Sequence, residues 1–166
     1  MHLLDPATLF QAASSLAMLG WLALALSPAG ARWAPRARRL AGRWIPALLA
    51  VVYVLLFLQH GMGDGGYGSL AEVQRLFAVP GLLTAGWLHY LAFDLFVGAW
   101  ISERAAALGM PHGLVLPMLA LTFLFGPAGL LAWGGVHLVL TWRRKRQGSV
   151  TTARGTTTAT TASTTA

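Results

Sequence analysis

Four long apolar segments constrain this chain more than any other feature of its sequence. They run from about residue 7 to 27, 44 to 59, 79 to 101 and 114 to 142. A helix needs about 20 predominantly apolar residues to cross the hydrocarbon core of a bilayer. Because only 10% of the 166 residues are charged, a soluble globule of this length would lack the polar surface to cover its core. The sequence therefore predicts an all-α, polytopic protein with four transmembrane helices, whose main partner is the lipid bilayer.

The segments between and after these spans differ sharply in composition. The first connection is a basic loop, and the second is glycine-rich from residue 61 to 68. The run Ser69-Leu70-Ala71-Glu72 then forms a capping-box pattern, which predicts a short amphipathic helix to about Phe77. Residues 1–142 are the predicted membrane domain. Residues 143–166, which are basic and then rich in Thr and Ala, are predicted to be disordered.

The distribution of Lys and Arg leaves the membrane orientation open. With four spans, one side carries Arg32, Arg36, Arg38, Arg39, Arg43 and Arg104, and the other carries Arg75, Arg143, Arg144, Lys145, Arg146 and Arg154. The positive-inside rule therefore gives a tie. A re-entrant fourth segment that turns at Gly126-Pro127 would remove the tie, but a single kinked helix is the preferred interpretation. The first segment is expected to be retained rather than cleaved, because its apolar run exceeds that of a signal peptide.

Polar side chains in the third segment are the candidates for chemistry. Asp94 lies well inside the span, where an ionised carboxylate costs about 2.5–3.5 kcal/mol on insertion scales. Tyr90 lies four residues earlier and therefore shares its face. His89 points about 140° away and is expected to meet another helix. Its expected partners there are Gln59, His60 and His137. A buried acid/base site and a set of interhelical hydrogen bonds are both compatible with this pattern.

In the fourth segment, the sequence around Gly126-Pro127 should interrupt the hydrogen bonds of a helix. Pro127 has no N–H to donate, so a carbonyl near Phe123 must find another partner, and Thr122 is close enough to be one. The kink could shape a cavity against the third span or could be a packing adjustment. Small residues in the third span are expected to allow close helix packing or to leave room for a flat apolar ligand beside the backbone, and packing is the preferred interpretation. They are Gly81, Ala85, Ala92 and Gly98.

Several classes of site are absent from the sequence. There is no cysteine, which excludes disulfides, thiolate metal sites and thiol nucleophiles. The five histidines are scattered, so no metal is predicted, and no phosphate-binding loop or dinucleotide fingerprint is found. No cofactor is therefore predicted. The basic residues cluster beside apolar segments, which favours anionic lipid and not nucleic acid as their partner.

Two runs resemble the ABA4-like family, which is named from a plant protein required for making neoxanthin. They are GWLHYLAFDLFVG, from Gly86 to Gly98, and LTFLFGPAG, from Leu121 to Gly129. The resemblance covers residues from about 3 to 142. It implies a protein of carotenoid or other polyisoprenoid metabolism, and the location expected for it is a bacterial plasma membrane.

The resemblance also implies an activity and a set of site residues. The activity is that of a cofactor-independent isomerase in which an acid and a base act on the ligand. The implied catalytic residues are His89, Tyr90 and Asp94. The implied ligand-binding residues are Trp87, Phe93, Gly98, Phe125, Gly126 and Pro127. The alternative is a non-catalytic lipid- or pigment-binding scaffold that supports another enzyme. A small proton-coupled carrier is a third and less attractive interpretation, because the four spans contain no internal repeat.

Overall fold

The structure, a computed structural model, describes residues 5–142, and these residues are helical apart from short connections. The helices are α1 (Pro6–Ala25), α2 (Ala34–Arg39), a π-helical turn (Leu40–Trp44), α3 (Ile45–His60), α4 (Leu70–Phe77), α5 (Pro80–Ala107) and α6 (His112–Phe125). Residues 127–142 are also helical. The predicted all-α class is confirmed. The chain divides into two compact units after Leu130. The disorder predicted for residues 143–166 concerns a segment outside the described residues.

Three helices in the described chain are long and apolar enough to cross a membrane: α1, the continuous helix 34–60, and α5. The second begins ten residues earlier than predicted, because the arginine-rich connection is itself helical from Ala34 onward. The prediction of a loop there is wrong. Pro35 occupies the first helical turn, where its missing N–H costs nothing. The π-helical turn then joins α2 to α3 without a break.

The fourth apolar segment is not the single kinked helix predicted over residues 114–142. Helix α6 ends at Phe125, and its 14 residues extend over only about 21 Å. Gly126 has φ 44° and ψ −92°, which ends the helix, and Pro127 cannot continue it. A Cβ on Gly129 would lie 2.7 Å from Thr122 Cα. Residues seven apart would be about 10.5 Å apart along a continuous helix, so the chain folds back locally at Gly126.

Helix α5 lies at the centre of the helical arrangement. Half of its most apolar stretch is buried, against 28% for each of the other two spans. Two of its glycines have no room for a Cβ: one at Gly98 would lie 2.6 Å from the Trp21 ring, and Gly81 lies against the His60 ring. Ala85 and Ala92 are buried. The packing interpretation of these small residues is therefore confirmed.

The short helix α4 has the predicted bounds and the predicted cap. Ser69 Oγ accepts a hydrogen bond from the Glu72 backbone N–H at 3.3 Å. Glu72 Oε2 accepts from the Gly68 N–H at 3.0 Å and so ties the helix to the glycine-rich connection. The amphipathic helix predicted between the second and third spans is therefore confirmed.

Candidate functional site

A cavity of about 250 Å³ lies beside Asp94, between α1, α5 and α6. Its lining consists of Ser14, Ala17, Met18, Trp21, Trp87, Tyr90, Leu91, Asp94, Phe123 and Leu124. Asp94 is the only ionisable carboxyl group among them. Tyr90 and Asp94 line the same cavity because four residues of helix return to the same face, and this part of the sequence prediction is confirmed.

Tyr90 links α5 to the broken end of α6. Its hydroxyl donates a hydrogen bond to the Phe123 carbonyl oxygen at 3.1 Å. In an uninterrupted helix that carbonyl would accept from residue 127, but Pro127 has no N–H. The expectation that Thr122 could satisfy this carbonyl is wrong, because Thr122 Oγ1 donates to Met118 O at 2.8 Å. The hydrogen-bond donor to the Phe123 carbonyl comes instead from Tyr90 on α5.

Asp94 is held tightly but is not fully paired. Its Oδ2 atom is buried and has no hydrogen-bond partner among residues 5–142. Its Oδ1 atom lies 2.8 Å from the position that a Cβ on Gly126 would take, so Gly126 gives the carboxyl group its space. The Tyr90 hydroxyl group lines the same cavity one helical turn away and is held there by its hydrogen bond to the Phe123 carbonyl oxygen.

Trp87 closes the cavity on the side of the N-terminal ends of α1 and α5. Its Nε1 donates to Ser14 Oγ at 2.9 Å. Its ring lies between those of Phe10, at 5.2 Å, and Tyr90, at 5.3 Å. A second cavity of about 580 Å³ lies on the other side of Trp87, lined by Pro6, Ala7, Phe10, Gln11, Pro80, Leu83, Thr84 and Trp87.

A third cavity, of about 350 Å³, continues along α1 in the opposite direction. It shares Met18, Trp21 and Phe123 with the cavity beside Asp94. Trp21 is buried and meets Phe123 edge to face at 5.5 Å. The three cavities thus follow one another along α1, with Trp87 between the first two, and together they are called the groove. The 20 residues of α1 span about 30 Å, the thickness of the hydrocarbon core.

Helix α1 supplies one wall of this groove, and its contribution was not predicted from the sequence. Ser14, Met18 and Trp21 carry no charge and lie in a mainly apolar helix that has no charged residue. Their four- and three-residue spacing places them on one face, but many faces of an apolar span show such spacing. Only the packing of α1 against α5 identifies the face that matters.

Several residues implied by the resemblance lie away from the cavities. His89 stacks on Phe93 with ring centroids 4.5 Å apart, and Tyr53 of α3 lies 5.8 Å from His89. Both His89 and Phe93 are exposed on the described chain. Phe125 is 64% exposed and lines none of these three cavities. Gly98 shapes the groove through Trp21, while Gly126 and Pro127 shape the surroundings of Asp94 and Tyr90.

His89 meets another helix, as expected, but its neighbour there is Tyr53. The imidazole of His60 contacts the Leu56 carbonyl oxygen through Nδ1 at 3.0 Å and packs on Gly81. His137 lies in the second compact unit, where its ring is 5.9 Å from that of Trp133. Within residues 5–142, no three His, Cys, Asp or Glu side chains come together in a group that could hold a metal ion.

Comparison with known proteins identifies a family but no individual related protein or structure. No curated protein and no solved structure gives a significant match to the chain. The family described as ABA DEFICIENT 4-like matches residues 8–133. That range contains the second and third apolar spans, all but Pro6 and Ala7 of the first, the cavity beside Asp94 and the helix break at Gly126. The chain is therefore a membrane protein of the ABA DEFICIENT 4-like family.

Proposed function

We propose that this protein is a cofactor-independent isomerase of membrane-embedded polyisoprenoids, with carotenoids the first class to test and Asp94 as the acid. The observation that carries the proposal is the buried, unpartnered Oδ2 of Asp94 in an apolar cavity. A carboxyl group in the middle of a span is costly and usually has a function. A purely structural role would be expected to use both carboxyl oxygens in hydrogen bonds.

The surroundings of Asp94 favour its action as a proton donor. The ten residues that line its cavity include no Lys, Arg or His, so none of them offsets the cost of an ionised carboxylate in this apolar site, and the protonated form is favoured. Tyr90 itself is held by the Phe123 carbonyl and is proposed as a positioning residue. The chemistry is thereby assigned to one carboxyl group, whose two oxygens can donate one proton and accept another.

The proposed reaction is balanced without any other reactant. Asp94 gives its proton to an epoxide oxygen or a double-bond carbon of the ligand, and positive charge develops on the neighbouring carbon. If an epoxide is the acceptor, its C–O bond breaks. A proton then leaves an adjacent carbon and returns to the carboxylate. The product is an isomer of the substrate and Asp94 is regenerated, which is acid/base catalysis by a positioned side chain.

The groove along α1 supports a long apolar ligand. Its three cavities share lining residues and extend over about 30 Å, so an extended polyisoprenoid can lie along α1 with Asp94 near its middle. Ligand sites between membrane helices are typically apolar with a few well-placed polar groups. Trp87 keeps the role in ligand binding that the resemblance implied, while Gly98, Gly126 and Pro127 line none of the three cavities and are proposed to act only by shaping their walls. His89, Phe93 and Phe125 are left out of the proposed site because they lie elsewhere.

The decisive experiment compares two nearly isosteric variants in a carotenoid-producing host. Asp94→Asn should retain co-purifying polyisoprenoid but lose product formation, while His89→Gln should retain both. Pigment is extracted after purification in mild detergent and separated by chromatography. Asp94→Asn that forms normal product would overturn catalysis and favour the pigment-binding scaffold. Wild-type protein without any bound isoprenoid, in a host whose carotenoids are unchanged, would overturn both functions.

We also infer an orientation from the spans in the described chain. The connection after α1, the start of helix 34–60 and the end of α5 share one end and carry Arg32, Arg36, Arg38, Arg39, Arg43 and Arg104. Arg75 is the only Lys or Arg at the other end within residues 5–142. Counted over residues 5–142 alone, the positive-inside rule favours a cytoplasmic location for the arginine-rich end.

The absence of native cysteine makes this orientation easy to test. Met62→Cys should react with a membrane-impermeant maleimide on intact cells, because Met62 lies at the end with few arginines and is 48% exposed. Gly30→Cys should react only after permeabilisation; a Cβ at Gly30 meets nothing within 4 Å. The reverse labelling pattern would invert the orientation.

A further inference from the structure

We propose that Trp87 is the specificity-determining residue of the groove, and that it keeps a bulky end group of the ligand away from Asp94. The end group would occupy the cavity at the N-terminal ends of α1 and α5, and only linear chain would pass Trp87 to reach the acid. This inference rests on the proposed occupation of the groove by a polyisoprenoid. It adds a prediction of which part of the polyisoprenoid reacts.

The two cavities that meet at Trp87 differ in size. The one beyond Trp87 has about 580 Å³ and is walled by residues such as Pro6, Pro80 and Leu83. The one beside Asp94 has about 250 Å³ and is crowded by the rings of Trp21 and Phe123. A cyclic end group therefore fits more readily in the first, and an extended chain fits in either.

The Trp87 ring is fixed firmly enough to act as a partition. Phe10 contacts it from α1 and Tyr90 from the next turn of α5, with ring centroids 5.2 and 5.3 Å away. The hydrogen bond from Nε1 to Ser14 Oγ, at 2.9 Å, fixes the orientation of the indole across the groove. Tyr90 itself donates a hydrogen bond to the Phe123 backbone carbonyl, so the row of Phe10, Trp87 and Tyr90 rings is fixed to α6.

The position of Trp87 on α5 sets the distance between the end group of the ligand and the bond that reacts. Trp87 and Asp94 are seven residues apart, which is nearly two helical turns, or about 10.5 Å along the axis. An end group that stops at Trp87 would place Asp94 beside the linear chain about 10 Å further along the molecule. The predicted substrate class is therefore a polyisoprenoid with a bulky end group that reacts at a bond within its chain, and not within the end group.

Photolabelling can locate the end group directly. The probe is a single-ring isoprenoid with a linear tail and a diazirine on the ring, applied to purified full-length protein in mild detergent. Labelled peptides are identified by mass spectrometry. In the wild type we expect ring labels on Phe10, Leu83 or Thr84. In Trp87→Ala we expect labels to shift to Phe123 and Leu124, because the partition is gone.

Two further variants separate this role from a general loss of structure. Ser14→Ala keeps the indole but removes its acceptor and should give a partial shift toward Phe123. Trp44→Ala removes a tryptophan that is 71% exposed and lies outside the groove, so it should give the wild-type pattern. If Trp87→Ala does not fold, Ser14→Ala and Trp87→Phe carry the test.

The outcomes distinguish this inference from the proposed function. Ring labels on Phe123 or Leu124 in the wild type, or an unchanged pattern in both Trp87→Ala and Ser14→Ala, would overturn the role of Trp87 while leaving a polyisoprenoid in the groove. Labelling that unlabelled polyisoprenoid does not reduce would instead show that the groove is not a ligand site, and would overturn the proposed function with it.

Discussion

Helix α5 carries polar side chains on two of its faces between His89 and Asp94, and the surroundings of the two faces differ. On one face, Tyr90 and Asp94 line a cavity enclosed by α1 and α6, and the Asp94 Oδ2 atom is left without a partner in the described chain. On the other face, His89 stacks on Phe93 and is exposed. Residue type alone does not distinguish them. Enclosure by neighbouring helices makes only the first face a candidate for chemistry.

The largest expected effect tests whether the enclosed face is the functional one. Asp94→Asn keeps the size of the side chain but removes its proton donor, so product formation should fall by about 10²-fold or more, the usual contribution of a general acid. His89→Gln should change it by less than about twofold, within the range of a residue outside the site. Product is measured by chromatography against the amount of folded protein.

The variants Asp94→Asn and His89→Gln can also contradict the assignment of function to one face of α5. If His89→Gln abolishes product while the protein stays folded and keeps its ligand, then the exposed face takes part in the reaction. The division of α5 into an active and an inactive face would then fail. Thermal unfolding in detergent, measured on both variants, separates this result from simple instability.

The next effect concerns the space that Gly126 leaves for Asp94. Gly126→Ala places a Cβ about 2.8 Å from Asp94 Oδ1 and forces alanine to adopt φ 44°. The left-handed backbone costs a non-glycine residue about 1–2 kcal/mol, and overpacking adds about 1–3 kcal/mol. We expect a large loss of thermal stability and of Asp94-dependent product.

Gly109 supplies the matched control for this substitution. It also has a positive φ, of 66°, but a Cβ there meets nothing within 4 Å. Gly109→Ala should therefore show the backbone cost alone and leave product formation unchanged. Equal losses of stability in the two variants would mean that the contact with Asp94 contributes nothing.

A smaller effect is expected from the hydrogen bond that joins α5 to α6. Tyr90→Phe leaves the part-buried Phe123 carbonyl without its donor. A fully buried unsatisfied carbonyl costs about 1–3 kcal/mol, so we expect a loss near the lower end of that range. Tyr53→Phe on the other side of α5 is the control, since Tyr53 packs there through its ring against Phe57 and His89. Thermal unfolding that is equally affected by both variants would contradict the special role of the Tyr90 hydroxyl.

The sequence predicted the features that depend on local spacing. The apolar lengths located three spans, the Ser69–Glu72 pattern located α4, and the four-residue step from Tyr90 to Asp94 placed both on one face. It failed where distant segments decide the outcome. Thr122 is near Phe123 in sequence, yet the free carbonyl pairs with Tyr90 from another helix.

The helix break in the fourth apolar segment shows a second limit of sequence reasoning. Gly-Pro pairs can kink a helix or end it, and residues 126 and 127 were predicted to kink it. The backbone at Gly126 instead leaves the helical region, and Gly129 packs against Thr122. Space beside Asp94, on α5, accommodates Gly126 at this turn. That space is a property of the packed helices and has no counterpart in the local sequence.

The smallest expected effect lies on the exposed face of α5. Phe93 is 59% exposed, so Phe93→Leu replaces one apolar side chain in contact with lipid by another. Its free energy of unfolding should change by less than about 0.5 kcal/mol, and bound polyisoprenoid and product should stay at wild-type levels, as for substitutions away from packed or functional features. Unfolding in detergent measures the free energy of unfolding, and pigment extraction followed by chromatography measures bound polyisoprenoid and product. A marked loss of pigment would mean that the ligand lies against Phe93 and His89 and not along α1, because no described residue covers Phe93 well enough to cause that loss through packing. Since the same substitution leaves Asp94 and its cavity untouched, that single result would move the ligand to the opposite face of the helix.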